Sequence, residues 1–259
     1  VMSYIDTHTH LYKEYYPEDI HSVVKRAIHA DVTKMILPAV NADSISDIFE
    51  ISNQYPENLY PLVGLHPTDV FQDFKNQLHR IEEHIDDEGI VGIGEVGIDL
   101  YHSTEYVEQQ KEAFSIQLGW AKDLHLPLSI HIRDAYSEAI SVIKEFKNTT
   151  FSGVFHCFSG GIQEAKWAVD NGFYLGISGV VTYKKSKLPD LIKEIGLEHL
   201  VLETDSPFLA PEPNRGKTNE SSYIPFIAKR LSAIFELPIE EIQRITTQNA
   251  LRVFTRLNP

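Results

Sequence analysis

The feature that most constrains the fold is an alternation of short apolar runs with longer amphipathic stretches. Eight runs are too short for helices and are rich in β-branched or other apolar residues: 4–8, 35–40, 59–66, 90–97, 127–132, 153–158, 174–178 and 200–205. Stretches with helical periodicity lie between them, among them 19–31, 44–53, 105–124, 134–147, 163–171 and 188–195. Such an alternation is typical of βα units and a parallel sheet.

Eight βα units in 259 residues favour a closed barrel over an open sheet. An open dinucleotide-binding sheet would carry a glycine-rich turn after its first strand, whereas this strand leads into His-Thr-His at 8–10. Two further helical segments, 223–235 and 239–256, follow the last run, and no linker interrupts the chain. We therefore predict an α/β fold, a single-domain (β/α)8 TIM barrel with extra C-terminal helices, over residues 1–259.

Composition restricts the partners and the compartment. The chain has 23 basic and 37 acidic residues, a net charge of −14 that argues against gripping duplex DNA by charge alone. Bound divalent cations can reverse the local sign, so a nucleic acid substrate is still compatible. No apolar run reaches the roughly 18 residues of a membrane span, and no secretory signal pattern is present. The single cysteine, Cys157, excludes an intrachain disulfide, and we predict a cytoplasmic protein.

Side chains that commonly bind metals stand at or near the ends of most predicted strands. They are His8, His10, His66, Glu95, Asp99, His131, His156, Glu203 and Asp205. In a parallel barrel the C-terminal ends of the strands meet at one rim, where active sites form. Residues i and i+2 share one face of a strand, so each of the pairs 8/10 and 203/205 can point toward a common centre.

Four histidines and two carboxylates drawn from this set predict a metal site at the rim. Imidazole with carboxylate suits zinc, manganese, iron or nickel, whereas magnesium usually takes oxygen ligands. Six ligands exceed the three protein ligands of a typical catalytic zinc site. Two divalent ions that share a carboxylate would use all six, and Glu95, on a middle strand, is the predicted bridge.

The remaining polar residues have less specific predicted roles. Asp205 is predicted to accept the proton of the attacking water. Glu203 either hydrogen-bonds a histidine ligand, assists that proton transfer, or is a buried acid bonded to the backbone. The segment 159–161 either turns the chain into a helix or holds a phosphate with its N–H groups. The candidates for contact with substrate phosphate oxygens are His66, Arg133, Arg215 and Lys217.

Seven motifs in chain order resemble those of a known family. They are Ile-Asp-Thr-His-Thr-His-Leu at 5–11, Gly-Leu-His-Pro at 64–67, Gly-Glu-Val-Gly-Ile-Asp at 94–99, His-Ile-Arg-Asp-Ala at 131–135, His-Cys-Phe-Ser-Gly at 156–160, Glu-Thr-Asp-Ser-Pro at 203–207 and Arg-Gly-Lys-Thr-Asn-Glu at 215–220. From residue 5 to residue 220 the chain resembles the TatD-type deoxyribonucleases, within the amidohydrolase-like metal-dependent hydrolases. The family's last motif is usually more basic and followed by proline, where this chain has Thr218 and Ser221.

The resemblance implies a metal-dependent hydrolase that cleaves phosphodiester bonds in DNA, often as a 3′-to-5′ exonuclease. It implies two divalent ions (zinc, magnesium or manganese) and leaves the oligomeric state open. One ion would be held by His8, His10, Glu95 and Asp205, and the second by Glu95, His131 and His156. The expected catalytic residues are Asp205, Glu203 and Glu95.

Two other functions fit parts of the sequence. A small-molecule amidohydrolase or lactonase could use the same barrel. Those enzymes often bridge their metals with a carbamylated lysine on the fourth strand, where this chain has Glu95 and no nearby lysine. A metal-binding protein without turnover is a second alternative, and the intact ligand set with Glu203 and Asp205 argues against it.

Overall fold

The computed structural model describes residues 2–17 and 19–257, so residues 1, 18, 258 and 259 of the predicted domain lie outside the described residues. Eight strands form one sheet in chain order, and every neighbouring pair is parallel. The strands are β1 (Tyr4–Asp6), β2 (Val32–Pro38), β3 (Leu59–Val63), β4 (Gly92–Asp99), β5 (Leu128–Arg133), β6 (Gly153–Phe155), β7 (Phe173–Ile177) and β8 (Leu200–Leu202). The predicted (β/α)8 TIM barrel is confirmed.

Helices connect the strands and cover the outside of the sheet. They are α1 (Ile20–His29), α2 (Ser44–Gln54), α3 (Phe74–Glu82), α4 (Val107–Leu124), α5 (Tyr136–Lys144), α6 (Ile162–Asp170), α7 (Leu188–Ile195), α8 (Ile224–Phe235) and α9 (Ile239–Val253). The helices α8 and α9 confirm the two predicted C-terminal segments, whereas α3 was not predicted. Within the described parts of the chain, no helix has both the length and the apolar character that a membrane span requires.

Several of the predicted strands end earlier than expected. The sequence pattern continued four strands through 4–8, 59–66, 153–158 and 200–205, but the ladders stop at Asp6, Val63, Phe155 and Leu202. The reason is that the chain turns inward at this rim, and two residues there, Cys157 and Asp205, have positive φ angles of 44° and 54°. Five predicted site residues from these runs therefore follow strands instead of lying in them: His8, His66, His156, Glu203 and Asp205.

Hydrogen bonds between the two ends of the sheet close the barrel. The backbone N–H of Thr7 donates to Leu202 O at 3.0 Å, and that of Asp205 donates to His8 O at 2.9 Å. The segments that follow β1 and β8 thereby become neighbours. Both of these segments contain predicted metal ligands, so closure of the barrel is also a step in building the site.

Asp6 reinforces this closure from inside the protein. Its side chain is fully buried, and its Oδ1 accepts the backbone N–H groups of His8 at 3.2 Å and Thr204 at 3.0 Å. Its Oδ2 accepts the hydroxyls of Thr204 at 2.6 Å and Ser221 at 2.7 Å. Burial raises the pKa of Asp6 to about 7, against the opposing effect of these donors. One carboxyl group thus joins the segment after β1 to two segments that follow β8.

The end of the barrel opposite the predicted site is filled by apolar side chains. Ala250 and Val253 of α9, with Phe254 and Leu257 beyond it, form a buried cluster with strand residues such as Ile36. Phe254 is completely buried. Burial of an apolar side chain of this size contributes about 1.5–3 kcal/mol to stability. This apolar cluster closes one end of the barrel. The C-terminal ends of the strands, at the other end, are therefore free to line a polar cavity.

Replacing Asp6 tests its role in closure. Asp6→Ala would leave two buried backbone N–H groups without an acceptor, and we expect a loss of about 3 kcal/mol in the free energy of unfolding. Asp6→Asn keeps one oxygen for those N–H groups, and its amide can donate to the two hydroxyls, so we expect a smaller loss. Urea unfolding of both variants measures the difference. Equal stabilities of the two variants would contradict this role.

Candidate metal centre

A cavity of about 760 Å³ opens at the C-terminal rim of the barrel. Most of the predicted site residues line it, including His10, His66, Glu95, His131, His156 and Asp205. Its walls include Tyr15, Arg133 and Phe208. Because the other end of the barrel is packed with apolar side chains, the cavity does not continue through the barrel.

The carboxylate of Glu95 lies at the bottom of the cavity, only 2% exposed, between two groups of imidazoles. Its Oε1 lies 3.1–3.3 Å from ring nitrogens of His66, His131 and His156. Its Oε2 lies 3.1 and 3.5 Å from the Nε2 atoms of His8 and His10. Burial raises the pKa of Glu95, but the nearby histidines outweigh it and hold that pKa well below its ordinary value. Glu95 is therefore ionised, and its two oxygens face different ligand groups.

Asp205 completes the group on the Oε2 side. Its Oδ1 lies 3.3 Å from His10 Nε2 and 3.7 Å from His8 Nε2, and its side chain is 15% exposed. Three groups of three residues could each hold a metal ion, because one ligand atom from each residue lies within 4.8 Å of those of the other two. The groups are His8/His156/Asp205, His8/His10/Glu95 and His66/Glu95/His131. The structure thus brings the other five predicted ligands together around Glu95. This donor set of imidazoles and ionised carboxylates fits two divalent ions.

Asp99 fixes the orientation of His131. The ring of His131 donates from Nε2 to Asp99 Oδ2 at 2.8 Å, which leaves its Nδ1 facing Glu95 Oε1 at 3.1 Å. Asp99 is held in turn by the backbone N–H groups of Tyr101 at 3.0 Å and His102 at 3.1 Å. From the sequence, Asp99 is one of the metal-binding residue types near the strand ends, with no specific role predicted for it. The spacing of four residues between Glu95 and Asp99 on β4 places both side chains on one face of the strand, and this spacing could have indicated that Asp99 acts beside Glu95.

Glu203 has the same relation to His156. Its Oε1 accepts from His156 Nδ1 at 3.0 Å and from the backbone N–H of Cys157 at 2.7 Å. Glu203 is completely buried and does not line the cavity, so among its predicted roles the geometry favours that of a hydrogen-bond partner for a histidine. Gly176 makes room for it, because a Cβ at that position would lie 2.1 Å from Glu203 Oε2.

His66 differs from the other histidines in the nitrogen that it presents. The backbone N–H and the hydroxyl of Thr68 both lie against His66 Nδ1, at 3.1 and 2.7 Å. Because a backbone N–H can only donate, Nδ1 is an acceptor, and the neutral ring carries its proton on Nε2. That Nε2 faces Glu95 Oε1 at 3.1 Å. His66 therefore presents a hydrogen-bond donor to the cavity and is a poor metal ligand.

Of the other three residues predicted to contact phosphate, one lines the cavity and two do not. Arg133 lines the cavity, and its guanidinium lies over the ring of Tyr101, 3.7 Å from the centroid. Arg215 and Lys217 are exposed on the loop after β8 and are not among the residues that line the cavity. Arg215 instead lies over the ring of Tyr183 at 4.1 Å.

The segment 159–161 turns the chain into α6. The N–H of Gly161 donates to Glu164 Oε2 at 3.0 Å, and the N–H of Ser159 donates to the hydroxyl of Tyr136 at 3.2 Å. These N–H groups already have partners within the protein. Of the two interpretations of this segment, the geometry favours the turn over a phosphate site.

The chain is similar to known proteins over almost its whole length. The chain matches the family described as TatD related DNase over residues 5–255. It is 37% identical over 254 residues to the uncharacterized metal-dependent hydrolase YabD of Bacillus subtilis, covering 98% of this chain and 99% of that protein. It is 31% identical over 261 residues to the uncharacterized metal-dependent hydrolase TatD of Mycobacterium tuberculosis, covering 96% of this chain and 97% of that protein.

A solved structure has the same architecture. The crystal structure of YjjV, a TatD homologue from Escherichia coli, superimposes with a TM-score of 0.90 at 28% sequence identity. The match covers 97% of this chain and 98% of that one. The fold and the arrangement of its elements are therefore shared over nearly the full length.

Asp99→Asn tests the orientation of His131. An amide at this position would offer an N–H to His131 Nε2 and favour the ring tautomer whose Nδ1 is protonated and cannot bind a metal. We expect the affinity for zinc or manganese at the Oε1 side to fall about 10- to 100-fold, as measured by calorimetry. Asp69→Asn is the matched control, because Asp69 lines the same cavity but hydrogen-bonds Asn41 at 2.7 Å. Equal affinities in the two variants would contradict the role of Asp99.

Metal binding should release protons at neutral pH. Burial lowers the pKa values of His131 and His156, but the neighbouring carboxylates outweigh it and raise both above the ordinary 6.5. Since a protonated imidazole cannot bind a metal, the affinity must fall as the pH falls, and this fall begins above pH 6.5. Each proton displaced weakens the apparent Kd about tenfold per pH unit. Titration with manganese between pH 8 and 6 measures the slope, and a constant Kd would contradict the expectation.

Proposed function

The chain belongs to the TatD related DNase family of metal-dependent hydrolases, and we propose that it hydrolyses phosphodiester bonds in DNA. The observation that carries this proposal is the position of Glu95 between two ligand groups. A carboxylate with one oxygen toward each group is suited to bridge two ions. Pairs of ions are common in enzymes that displace an alcohol from phosphate, because they stabilise both the attacking and the leaving oxygen.

The residues that would hold the two ions follow from the contacts of Glu95. His8, His10 and Asp205 face its Oε2 side, and His131 and His156 face its Oε1 side. When bound, divalent ions supply an acidified water and offset the negative charge of the phosphate. Burial lowers the pKa of His8, with a further contribution from His156, so His8 stays neutral and able to bind a metal.

Asp205 is the residue that we assign to proton transfer. Asp205 lines the cavity, and its side chain is 15% exposed, against 2% for that of Glu95. Burial raises the pKa of Asp205, but His156, His10 and His8 lower it overall. Asp205 is therefore ionised and can accept at Oδ1 the proton of the water that attacks phosphorus.

Two donors on the cavity wall would bind the substrate phosphate. His66 presents its Nε2–H, fixed by Thr68, and Arg133 presents a guanidinium that stacks on Tyr101. Both groups are held before the substrate arrives, so little ordering is needed when phosphate binds. A guanidinium can donate two parallel hydrogen bonds to phosphate oxygens, which favours a phosphodiester over an uncharged ester or amide.

We further propose exonuclease action from the 3′ end. Apolar side chains fill the other end of the barrel, so a strand cannot pass through it, which is compatible with a strand that enters the cavity by its end. The 3′ polarity is supported by the family resemblance. The single free cysteine, Cys157, supports the reducing cytoplasm as the compartment.

A small-molecule amidohydrolase or lactonase is the alternative on this barrel. No lysine is found among the described residues that line the cavity, and the bridging position is occupied by Glu95. The cationic Arg133 in the wall is also more useful for phosphate than for a neutral substrate. Both observations favour the phosphodiesterase.

Digestion of end-labelled single-stranded and duplex oligonucleotides with zinc, magnesium or manganese tests the proposal. We expect metal-dependent loss of a 3′ label before a 5′ label, and no comparable turnover of lactone or amide substrates. His131→Ala and Glu95→Ala should each lower the rate at least about 1,000-fold, since each removes a ligand. His79→Ala, an exposed histidine on α3, is the control. Near-normal rates in either ligand variant, at matched metal content, would refute the assignment.

A further inference from the structure

Basic residues are concentrated on two neighbouring loops at the rim of the barrel. The loop after β7, residues 178–187, contains three lysines and no acidic residue, and the segment 206–217 after β8 contains Arg215 and Lys217 with one acidic residue, Glu212. The whole chain has a net charge of −14, so this local excess is opposite in sign to that of the molecule. We call these exposed residues the basic strip: Lys184, Lys185, Lys187, Arg215 and Lys217.

The two loops form one surface because they are bonded to each other. The guanidinium of Arg215 lies 4.1 Å from the centroid of the Tyr183 ring. The hydroxyl of Tyr183 donates to Ala210 O at 3.0 Å, and the backbone N–H of Glu212 donates to Thr182 Oγ1 at 2.9 Å. The strip is therefore supported by three contacts that join the β7 loop to the β8 loop.

The charges of the strip are available to a ligand. Among the described residues, no carboxylate lies within 4.0 Å of the charged nitrogens of Lys184, Lys185, Lys187, Arg215 or Lys217. The stacking of Arg215 on Tyr183 orients its guanidinium plane while leaving the edge with the N–H donors open. Such an arginine can make bidentate contacts with a phosphate.

The strip is continuous with the cavity. Phe208 and Leu209 line the cavity, and the next residue, Ala210, accepts the hydrogen bond from Tyr183. Phe208 is 48% exposed, and its ring packs against that of Tyr15 at 5.7 Å. The path from the cavity to the strip thus begins with exposed aromatic rings, on which nucleic acid bases can stack.

We propose that the basic strip binds the phosphate backbone of a single-stranded nucleic acid, several nucleotides from the bond that is hydrolysed. This inference rests on the proposed function, because it needs a polymer that extends out of the cavity. The rest of the chain has a net negative charge, so the strip favours the approach of a polyanion from its own side. Binding would release counterions from the strand and would therefore weaken as salt is added.

Charge reversal in the β7 loop tests the proposal. The triple variant Lys184→Glu, Lys185→Glu, Lys187→Glu is compared with Lys25→Glu, Lys122→Glu, Lys229→Glu. The second variant changes the net charge equally at exposed lysines of α1, α4 and α8. Fluorescence anisotropy measures the Kd of a labelled 20-nucleotide phosphorothioate strand, which resists cleavage, with the magnesium-loaded protein. Melting temperatures show that each variant is folded.

We expect the β7-loop variant to bind at least about tenfold more weakly, while the control changes much less. The slope of log Kd against log salt should decrease by about 2, since a single strand contributes about 0.7 per phosphate contact. Arg215→Ala should also weaken binding, by a smaller factor. Equal Kd values in the two triple variants would overturn the proposal. So would a loss in the β7-loop variant of binding to phosphatidylglycerol vesicles, with oligonucleotide binding unchanged.

The same samples separate this proposal from the proposed function. If wild-type protein binds the strand through the strip but cleaves no phosphodiester with any of the three ions, the proposed function fails and the strip is supported. If wild-type protein cleaves and the β7-loop variant binds and cleaves a 20-nucleotide substrate equally well, the strip fails and the proposed function stands.

Discussion

The whole site depends on one buried carboxylate. An isolated ionised carboxyl group at the position of Glu95 would be strongly unfavourable, because burial removes its hydration. Five imidazoles compensate for this; they come from three segments that follow strands and from one strand, β5, at positions that span residues 8 to 156. Only a structure that brings the carboxyl ends of its strands to one point can supply them. The barrel thus supplies the imidazoles that stabilise the ionised carboxylate of Glu95. Two bound ions bridged by Glu95 would stabilise this carboxylate further.

Hydrogen bonds from neighbouring side chains then determine which nitrogen of these imidazoles carries a proton. Asp99 and Glu203 take one N–H from His131 and His156, which leaves the other nitrogen of each ring with a lone pair for a metal. Thr68 does the reverse for His66 and makes it a donor. We therefore propose that identical side chains around one carboxylate divide into metal ligands and a phosphate-binding group. The division depends on the hydrogen bonds that these rings make with Asp99, Glu203 and Thr68, and not on the distance from Glu95.

The sequence predicted the barrel because alternating strands and helices leave local periodicities. It also predicted which histidines and carboxylates meet at the rim, because residue type and strand position are local properties as well. It missed where the strands end, since His8, His156 and Asp205 leave the ladder to turn inward. The helix α3 was overlooked although Phe74, Leu78 and Ile81 recur at helical spacing in a polar stretch. The pairing of Glu203 with His156 bridges 47 positions, so only the folded chain defines it. The positions of Arg215 and Lys217 outside the cavity likewise depend on how a loop folds back.

The link that Asp6 makes has a consequence for biosynthesis. Its partners Thr204 and Ser221 are separated from it by 198 and 215 residues, so they leave the ribosome long after β1. Until then the first two histidines have neither Asp205 nor a closed barrel beside them, and the nascent chain exposes an unpaired β1 and a partial set of ligands. Contacts of such large sequence separation slow folding and prolong exposure of strand edges. The candidate metal centre, which includes Asp205, can therefore be completed only after the segment that follows β8 has been synthesised.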